Sequence, residues 1–252
     1  MKPHFSLPYF FCLIVGFLFR NAGLAATVVI DEFNITQGLS TTNFGYQSAS
    51  VSYSSLDSPV DAIGGSRQAF VEILNTTSAP FDFVRAQVSG GILSFSSSPN
   101  THGFLGLIYN HSETGLGLDL NQNFAEGDSI VVSFASVLTV PLSFTVSIHS
   151  NPSGAAVKTV SIPAGTNTFS LPLSELTASG DFNPANIFYF SPRFSEAQNG
   201  AGFQIDRIEI IPEPSVGSLV VVACGIFLRN GRHARMNWGH AHSRKLGANV
   251  TR

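Results

Sequence analysis

Short apolar runs rich in Val, Ile, Phe and Thr recur through residues 27–211, and clusters of Gly, Asn, Pro and Ser separate them. Runs of this length between turn-forming residues predict β-strands, and only 173–176 suggests a helical turn. We therefore predict an all-β fold, a two-sheet antiparallel sandwich or jelly roll. The eleven predicted strands are 27–33, 69–74, 81–88, 91–96, 104–109, 129–137, 143–150, 156–162, 167–173, 186–191 and 203–211.

Two features of these strands can be checked in a structure. The Ser/Thr-rich stretch 38–57 is consistent with either an edge strand or a mobile loop. Within 203–211, strict alternation divides the side chains between two faces. One face is predicted to hold Phe203, Ile205, Arg207, Glu209 and Ile211, and the other Gln204, Asp206, Ile208 and Ile210.

The positions of the cysteines indicate that no disulfide stabilises the predicted sandwich, which must depend on the burial of apolar groups. Cys12 and Cys224 both lie in apolar stretches near the ends of the chain, so residues 27–211 contain no cysteine. These 185 residues are enough for one sizeable core. Sixteen of the 22 phenylalanines fall within them, which predicts a Phe-rich core.

Charge is segregated along the chain. Between Thr27 and Pro214 there are five basic residues and all 16 acidic ones, a net charge of −11 against −3 for the whole chain. Nucleic-acid binding needs a basic footprint, so this balance argues against it. An acidic domain is consistent with solubility outside the cell.

The N-terminus has the layout of a secretory signal. Lys2 precedes the apolar run 9–19, and small residues follow at 23–26. This order of basic, apolar and small residues predicts export through the Sec translocon and cleavage by signal peptidase. The mature chain is expected to start at Thr27.

The C-terminus combines three features. Pro212, Glu213 and Pro214 precede an uncharged stretch of 14 residues, 215–228. As a helix this stretch spans roughly 21 Å, which is short for a hydrocarbon core of about 30 Å. The arginines that follow favour a cytoplasmic location for that end. They are Arg229, Arg232 and Arg235.

This arrangement resembles the PEP-CTERM sorting domain of bacterial exported proteins. The resemblance implies recognition by an exosortase, a membrane protease or transpeptidase, at the motif 212–214. It also implies passage through the inner membrane and display at the cell surface or release from it, with transient or permanent anchoring by the C-terminal helix. The sequence departs from the family because it continues past the arginines. The expected organisation is a signal peptide 1–26, a β-sandwich 27–211, a sorting signal 212–235 and a basic tail 236–252.

The first and last predicted strands are both hydrophobic, and sandwiches of the jelly-roll kind often pair such strands. This pairing would hold Asp31 near Asp206 or Glu209. The opening IDEFN, central GGSR and closing QIDRIEI resemble the architecture of carbohydrate-binding modules, which implies a possible structural Ca²⁺ at that place. No other cofactor and no metal ligand set is predicted.

The sequence contains no catalytic motif. Asp119, Asn121 and Asn123 have the spacing of a Ca²⁺ loop but lack its later ligands, so we interpret them as a turn. His102 and His111 flank one strand near Glu113, without the tighter spacing of a metal pair, and we interpret them as loop histidines.

Two classes of function remain open. The first is a non-catalytic surface or extracellular-matrix protein that binds polysaccharide, and this is the one that we predict. The second is a secreted glycan-active hydrolase or lectin on the same scaffold, since fold alone does not decide. Facing carboxylates such as Asp57 and Asp61 would favour the hydrolase. An aligned pair of exposed tyrosines would favour sugar binding, and the candidates are Tyr46, Tyr53, Tyr109 and Tyr189.

Overall fold

The computed structural model describes residues 27–43, 51–53, 62–75, 82–109, 124–125, 127–150, 153–196 and 198–212. Residues Ala26–Pro212 form one compact unit. The described strands are β1 (Val28–Asp31), β2 (Gln37–Asn43), β3 (Val51–Tyr53), β4 (Arg67–Asn75), β5 (Asp82–Ser89), β6 (Ile92–Ser97), β7 (His102–Tyr109), β8 (Ser129–Phe134), β9 (Leu142–His149), β10 (Ala155–Ile162), β11 (Thr168–Pro172), β12 (Thr177–Ser179), β13 (Tyr189–Glu196) and β14 (Gly202–Ile211).

The strands form two seven-stranded sheets, which confirms the predicted two-sheet sandwich. Sheet A has the order β11-β8-β14-β6-β5-β2, and β1 also pairs with β14. Sheet B has the order β12-β10-β9-β13-β7-β4-β3. Every pair between these strands is antiparallel. A short 3-10 turn at Leu173–Glu175 confirms the predicted helical turn.

All eleven predicted strands are present, and β2, β3 and β12 are additional. The stretch 38–57 contributes edge strands to both sheets, so of the two alternatives the edge strand is confirmed where the structure describes it. The predicted strand 186–191 is shifted along the chain in the structure. β13 begins at Tyr189 and continues through Pro192 to Glu196. Pro192 lacks an N–H, and the pairing of β13 with β7 skips from Phe190 to Arg193.

Alternating side chains fill the space between the sheets with apolar groups. Along β9, Phe144, Val146 and Ile148 are fully buried, and the residues between them are half-buried on the opposite face. Phe144 stacks on Phe194 of the neighbouring β13, with ring centroids 5.0 Å apart. The predicted Phe-rich core is therefore present.

A bulge in β14 makes the strict alternation predicted for 203–211 wrong. Phe203 and Ile205 face the core, but so do Ile208 and Ile210, because the register shifts between Ile205 and Arg207. A bulge adds one residue and reverses the facing of every side chain beyond it. Arg207 consequently faces outward, where its Nη2 lies 3.5 Å from Glu32 Oε1.

The chain ends of the sandwich pair as predicted, and β1 places a carboxylate in the core. Asp31 is opposite Ile208 of β14, but its side chain is fully buried and bonds to Arg67. Arg67 Nη1 donates to both carboxylate oxygens, at 2.8 and 2.7 Å. Its Nε donates to Gln37 Oε1 at 3.0 Å, and its Nη2 to the carbonyl of Ile35 at 3.0 Å. One buried guanidinium thus connects β1, β2 and β4.

The remaining lone pairs of Asp31 are also used. The backbone N–H of Phe33 donates to Oδ1 at 2.8 Å, and the Tyr109 hydroxyl donates to Oδ2 at 2.9 Å. Burial raises the pKa of Asp31, and the Arg67 charge acts against that rise. This network joins the opening strand to β7 of the opposite sheet.

Within the described residues, no helix is long and apolar enough to cross a bilayer. The predicted signal peptide, C-terminal hydrophobic helix and basic tail lie outside the described residues. So do Glu213, Pro214, Arg229, Arg232 and Arg235, whereas Pro212 is described and follows β14 directly.

Candidate functional site

The outward-facing side chains of sheet B form the candidate site, which we call the outer face of sheet B. Its central strands β9 and β13 present mainly hydroxyl groups there, because their apolar residues alternate inward. From Ser143 to His149 the face extends roughly 20 Å along β9 at about 3.4 Å per residue. This length accommodates several units of a linear chain.

Among the described residues, Arg193 is the cation on this face. In register, Arg193 of β13 lies beside Gly106 of β7, which lies beside Phe70 of β4. The Phe70 ring lies across Gly106, where a Cβ would overlap it, and the Arg193 guanidinium carbon is 5.4 Å from the ring centroid. Phe70 packs edge-on against Phe104, with centroids 5.5 Å apart. The aromatic support orients an otherwise flexible arginine side chain.

A depression with a volume of about 190 Å³ lies beside Arg193. Phe104 supplies an apolar wall, and three hydroxyl-bearing residues complete the lining together with Arg193. They are Ser143, Thr145 and Ser195. A half-buried aromatic edge, hydroxyl groups and a guanidinium are the groups that hydrogen-bond and pack against polyhydroxy ligands.

The far end of the face carries an aromatic cluster. His149 packs edge-on against Tyr189, with ring centroids 4.9 Å apart, and against Phe188 at 6.2 Å. Burial lowers the pKa of His149, which favours the neutral imidazole. Its Nε2 lies 3.1 Å from the Ser147 hydroxyl. The cluster therefore extends the face with neutral polar and aromatic groups.

The structure corrects part of the tyrosine prediction. Tyr109 is fully buried and donates to Asp31, so it is unavailable to a ligand. Tyr189 is on the outer face of sheet B, half-buried beside His149. Tyr46 and the side chain of Tyr53 lie outside the described residues. Sequence reasoning missed Arg193 and Phe104, because only the pairing register shows that they lie on one face.

Some of the acidic and histidine residues singled out in the sequence are described by the structure, and the others lie outside the described residues. The interpretation of His102 as a loop histidine is wrong, because it is the first residue of β7 and is half-buried. Its Nε2 lies 3.2 Å from Ser195 Oγ at the border of the depression. Asp31 is turned inward to Arg67, whereas Asp206 is exposed and Glu209 is half-buried, and the possible structural Ca²⁺ stays a prediction. In the ranges that the structure covers, no group of three or more Asp, Glu, His or Cys has metal-binding geometry. His111, Glu113, Asp119, Asn121, Asn123, Asp57 and Asp61 lie outside the described residues.

Glu196, at the end of β13, is buried and faces the core. The Ser97 hydroxyl donates to its Oε2 at 2.6 Å, while Oε1 has no partner with hydrogen-bond geometry in the described part of the chain. Burial raises the pKa of Glu196 to about 7, and the hydrogen bonds from Ser97 and the Gly103 backbone act against that rise.

A second cavity, with a volume of about 250 Å³, lies near the 3-10 turn. Its lining contains no charged side chain and consists mostly of apolar groups, so it offers few hydrogen bonds to a ligand. The lining residues are Leu173, Ser174, Leu176, Ala178, Phe182 and Pro184.

Comparison with protein-family models finds no matching family, and comparison with curated proteins finds no match. Solved structures with a similar arrangement include a family 11 carbohydrate-binding module from Clostridium thermocellum in complex with a β-1,3-1,4-mixed-linked tetrasaccharide. It is 15% identical, with 74% of this chain and 95% of that chain covered and a TM-score of 0.35. The solution structure of CtCBM11 is also 15% identical, with 77% and 99% covered and a TM-score of 0.38. At these TM-scores the alignments carry no functional argument.

Proposed function

We propose that the protein is an exported, non-catalytic β-sandwich that binds polysaccharide on the outer face of sheet B. The observation that carries this proposal is the depression beside Arg193, where hydroxyl groups, the Phe104 wall and a cation face solvent together. The face is continuous along β9 and β13, which suits a linear chain rather than a small compact ligand.

Three of the four buried acids in the described residues have structural partners, and the fourth, Glu196, faces the core and not the outer face of sheet B. Asp31 is neutralised by Arg67, and Asp82 accepts a hydrogen bond from Ser98. Asp128 accepts from the backbone N–H of Ala125. Each of these carboxylates therefore has a structural partner, and glycoside hydrolysis needs two carboxyl groups that flank a substrate bond.

Filling the depression tests the proposed site. Thr145→Trp is expected to lower affinity for polysaccharide at least about tenfold, because the indole occupies the space of the ligand while its strand keeps its backbone hydrogen bonds. Affinity electrophoresis of the full chain through gels that contain neutral or acidic polysaccharides measures this directly. Ser94→Trp is the matched control, because Ser94 faces outward on β6 of sheet A. Equal losses in both variants, or binding that survives Thr145→Trp, would reject this face as the site.

We also propose that the motif Pro212-Glu213-Pro214 marks processing by an exosortase-type membrane enzyme. β14 ends at Ile211, opposite Ser129, so the motif follows directly after the last ladder residue. Substituting the motif by three alanines is expected to leave the sandwich folded and to alter its release from the cell surface.

Intact mass of the protein recovered from the surface or the medium measures this release. A wild-type species that starts near Thr27 and ends near Pro214 is expected, and the alanine variant should retain the segment after 214. Identical masses for the two proteins would overturn the sorting proposal without affecting the polysaccharide site.

A further inference from the structure

We infer that the polysaccharide bound by this protein is anionic and carries carboxylate groups, of the uronate class. This inference rests on the proposed function and names the substrate class of the same site. The observation behind it is the state of Arg193, which is exposed on the outer face of sheet B, beside the depression lined by Phe104, Ser143, Thr145 and Ser195.

Arg193 differs from the other described arginines in its partners. Arg67 is bonded to Asp31 and Gln37, Arg207 lies near Glu32 and Glu209, and Arg85 Nε donates to Ser96. Across the part of the chain that the structure describes, the guanidinium of Arg193 is engaged only by the Phe70 ring. Its N–H groups therefore remain available to a ligand.

The geometry around Arg193 favours a planar anion. A guanidinium presents a rigid fork of donors that matches a carboxylate with two parallel hydrogen bonds. The contact with the Phe70 ring, which packs against Phe104 and lies across Gly106, restricts the orientations of the fork before the ligand arrives. Pre-organisation lowers the entropy lost on binding.

The charges of the face fit a single acidic recognition point. Within the described strands of sheet B, Glu72 is the carboxylate on the same face. It lies in register with Phe104, two strands away from Arg193, roughly 10 Å across the sheet. His149 is favoured as the neutral imidazole, and the other groups that line the depression are hydroxyls and one aromatic ring. The region 27–214 is strongly acidic, so most of its surface repels an anion. The unpaired Arg193 attracts an acidic ligand at the binding depression.

The test compares two forms of one polymer. De-esterified polygalacturonate and its highly methyl-esterified form share a backbone and differ in carboxylate charge. We expect the full chain, in mild detergent, to bind the de-esterified form at least about tenfold more tightly, and the difference to shrink as NaCl is raised.

Substitutions of Arg193 assign the effect to one side chain. Arg193→Gln should abolish the preference for the de-esterified form, and Arg193→Lys, which keeps the charge without the fork, should retain a part of it. Arg85→Gln is the matched control, because Arg85 also lies over a phenylalanine, Phe83, at 5.1 Å but faces outward on sheet A.

Other outcomes overturn the inference in distinguishable ways. Equal binding of the two polymer forms, or a preference that survives Arg193→Gln, would overturn the acidic ligand and leave polysaccharide binding in place. The acidic ligand would also be overturned if the protein bound a neutral mixed-linkage glucan but not polygalacturonate, and if Thr145→Trp abolished that binding. Failure to bind any acidic or neutral polysaccharide would reject the proposed function itself.

Discussion

Arg67→Met is expected to lower the free energy of unfolding by about 3–5 kcal/mol, or to prevent folding altogether. Arg67 and Asp31 are both fully buried, and their nearest charged atoms are 2.7 Å apart. Removing the guanidinium leaves a carboxylate in the core with hydrogen bonds from Phe33 and Tyr109 but no counter-charge. Urea denaturation followed by fluorescence of the tyrosines or by circular dichroism measures the loss.

A double-mutant cycle distinguishes the ion pair from simple loss of packing. Arg67→Met combined with Asp31→Asn removes both charges and should be several kcal/mol less damaging than the sum of the single changes. Arg85→Met is the surface control and should cost less than about 1 kcal/mol, because exposed cation–π contacts contribute little. Additive single effects would show that the charge pair is unimportant and that only the volume of Arg67 matters.

This ion pair illustrates what the sequence reveals about the fold. The segments IDEFN and GGSR were identified as features of the architecture, and the pairing of the first and last strands was predicted from their hydrophobicity. The bond between Asp31 and Arg67 was missed, because it joins residues 36 positions apart whose side chains both point inward. Alternation predicts the face of a residue, but not its partner on that face.

The strands show the same limit. The predicted strand 143–150 agrees with β9 to within one residue at each end. Every second residue of β9 is buried between the two sheets, so its apolar alternation is visible in the sequence. The edge strand β12 contains only exposed residues, so no apolar pattern marks it. The predicted strand 186–191 stops before Pro192, and proline is rare in central strands, yet β13 continues through it and omits ladder pairs with β7. The bulge in β14 does have a signal in the sequence, which the prediction of strict alternation overlooked: two consecutive polar residues, Asp206 and Arg207, interrupt the apolar alternation.

The candidate site was less predictable than the fold. The sequence suggested tyrosine platforms, and Tyr109 proved to be part of the core network. Arg193, Phe104 and Thr145 come from three strands far apart in sequence, and the registers of β7, β9 and β13 bring them together. Register depends on the whole sheet, so a site built across strands follows from the tertiary structure and not from a local motif.

Glu196→Gln is expected to stabilise the protein by about 3 kcal/mol at pH 8 and to leave its stability at pH 4 nearly unchanged. Burial raises the pKa of Glu196 from 4.5 to about 7, and each pKa unit corresponds to about 1.36 kcal/mol. Below pH 4.5 the carboxyl is protonated in both states, so it contributes no pH dependence. Between pH 4.5 and 7 the folded state binds the proton that the unfolded state has lost, and stability falls as pH rises. Above pH 7 the penalty is constant.

The difference in unfolding free energy between the wild type and Glu196→Gln isolates the titration of Glu196 from that of the other ionisable groups. Burial raises the pKa of Asp31 and lowers that of His149, so both also contribute to the pH dependence of the wild type, and both are unchanged by the substitution. Urea unfolding of the two proteins at pH 4, 6 and 8 gives the difference directly, and Glu175→Gln, at an exposed position, is the matched control. A stability difference that does not change with pH would mean that Glu196 ionises normally and that its unpartnered Oε1 is solvated in the folded protein.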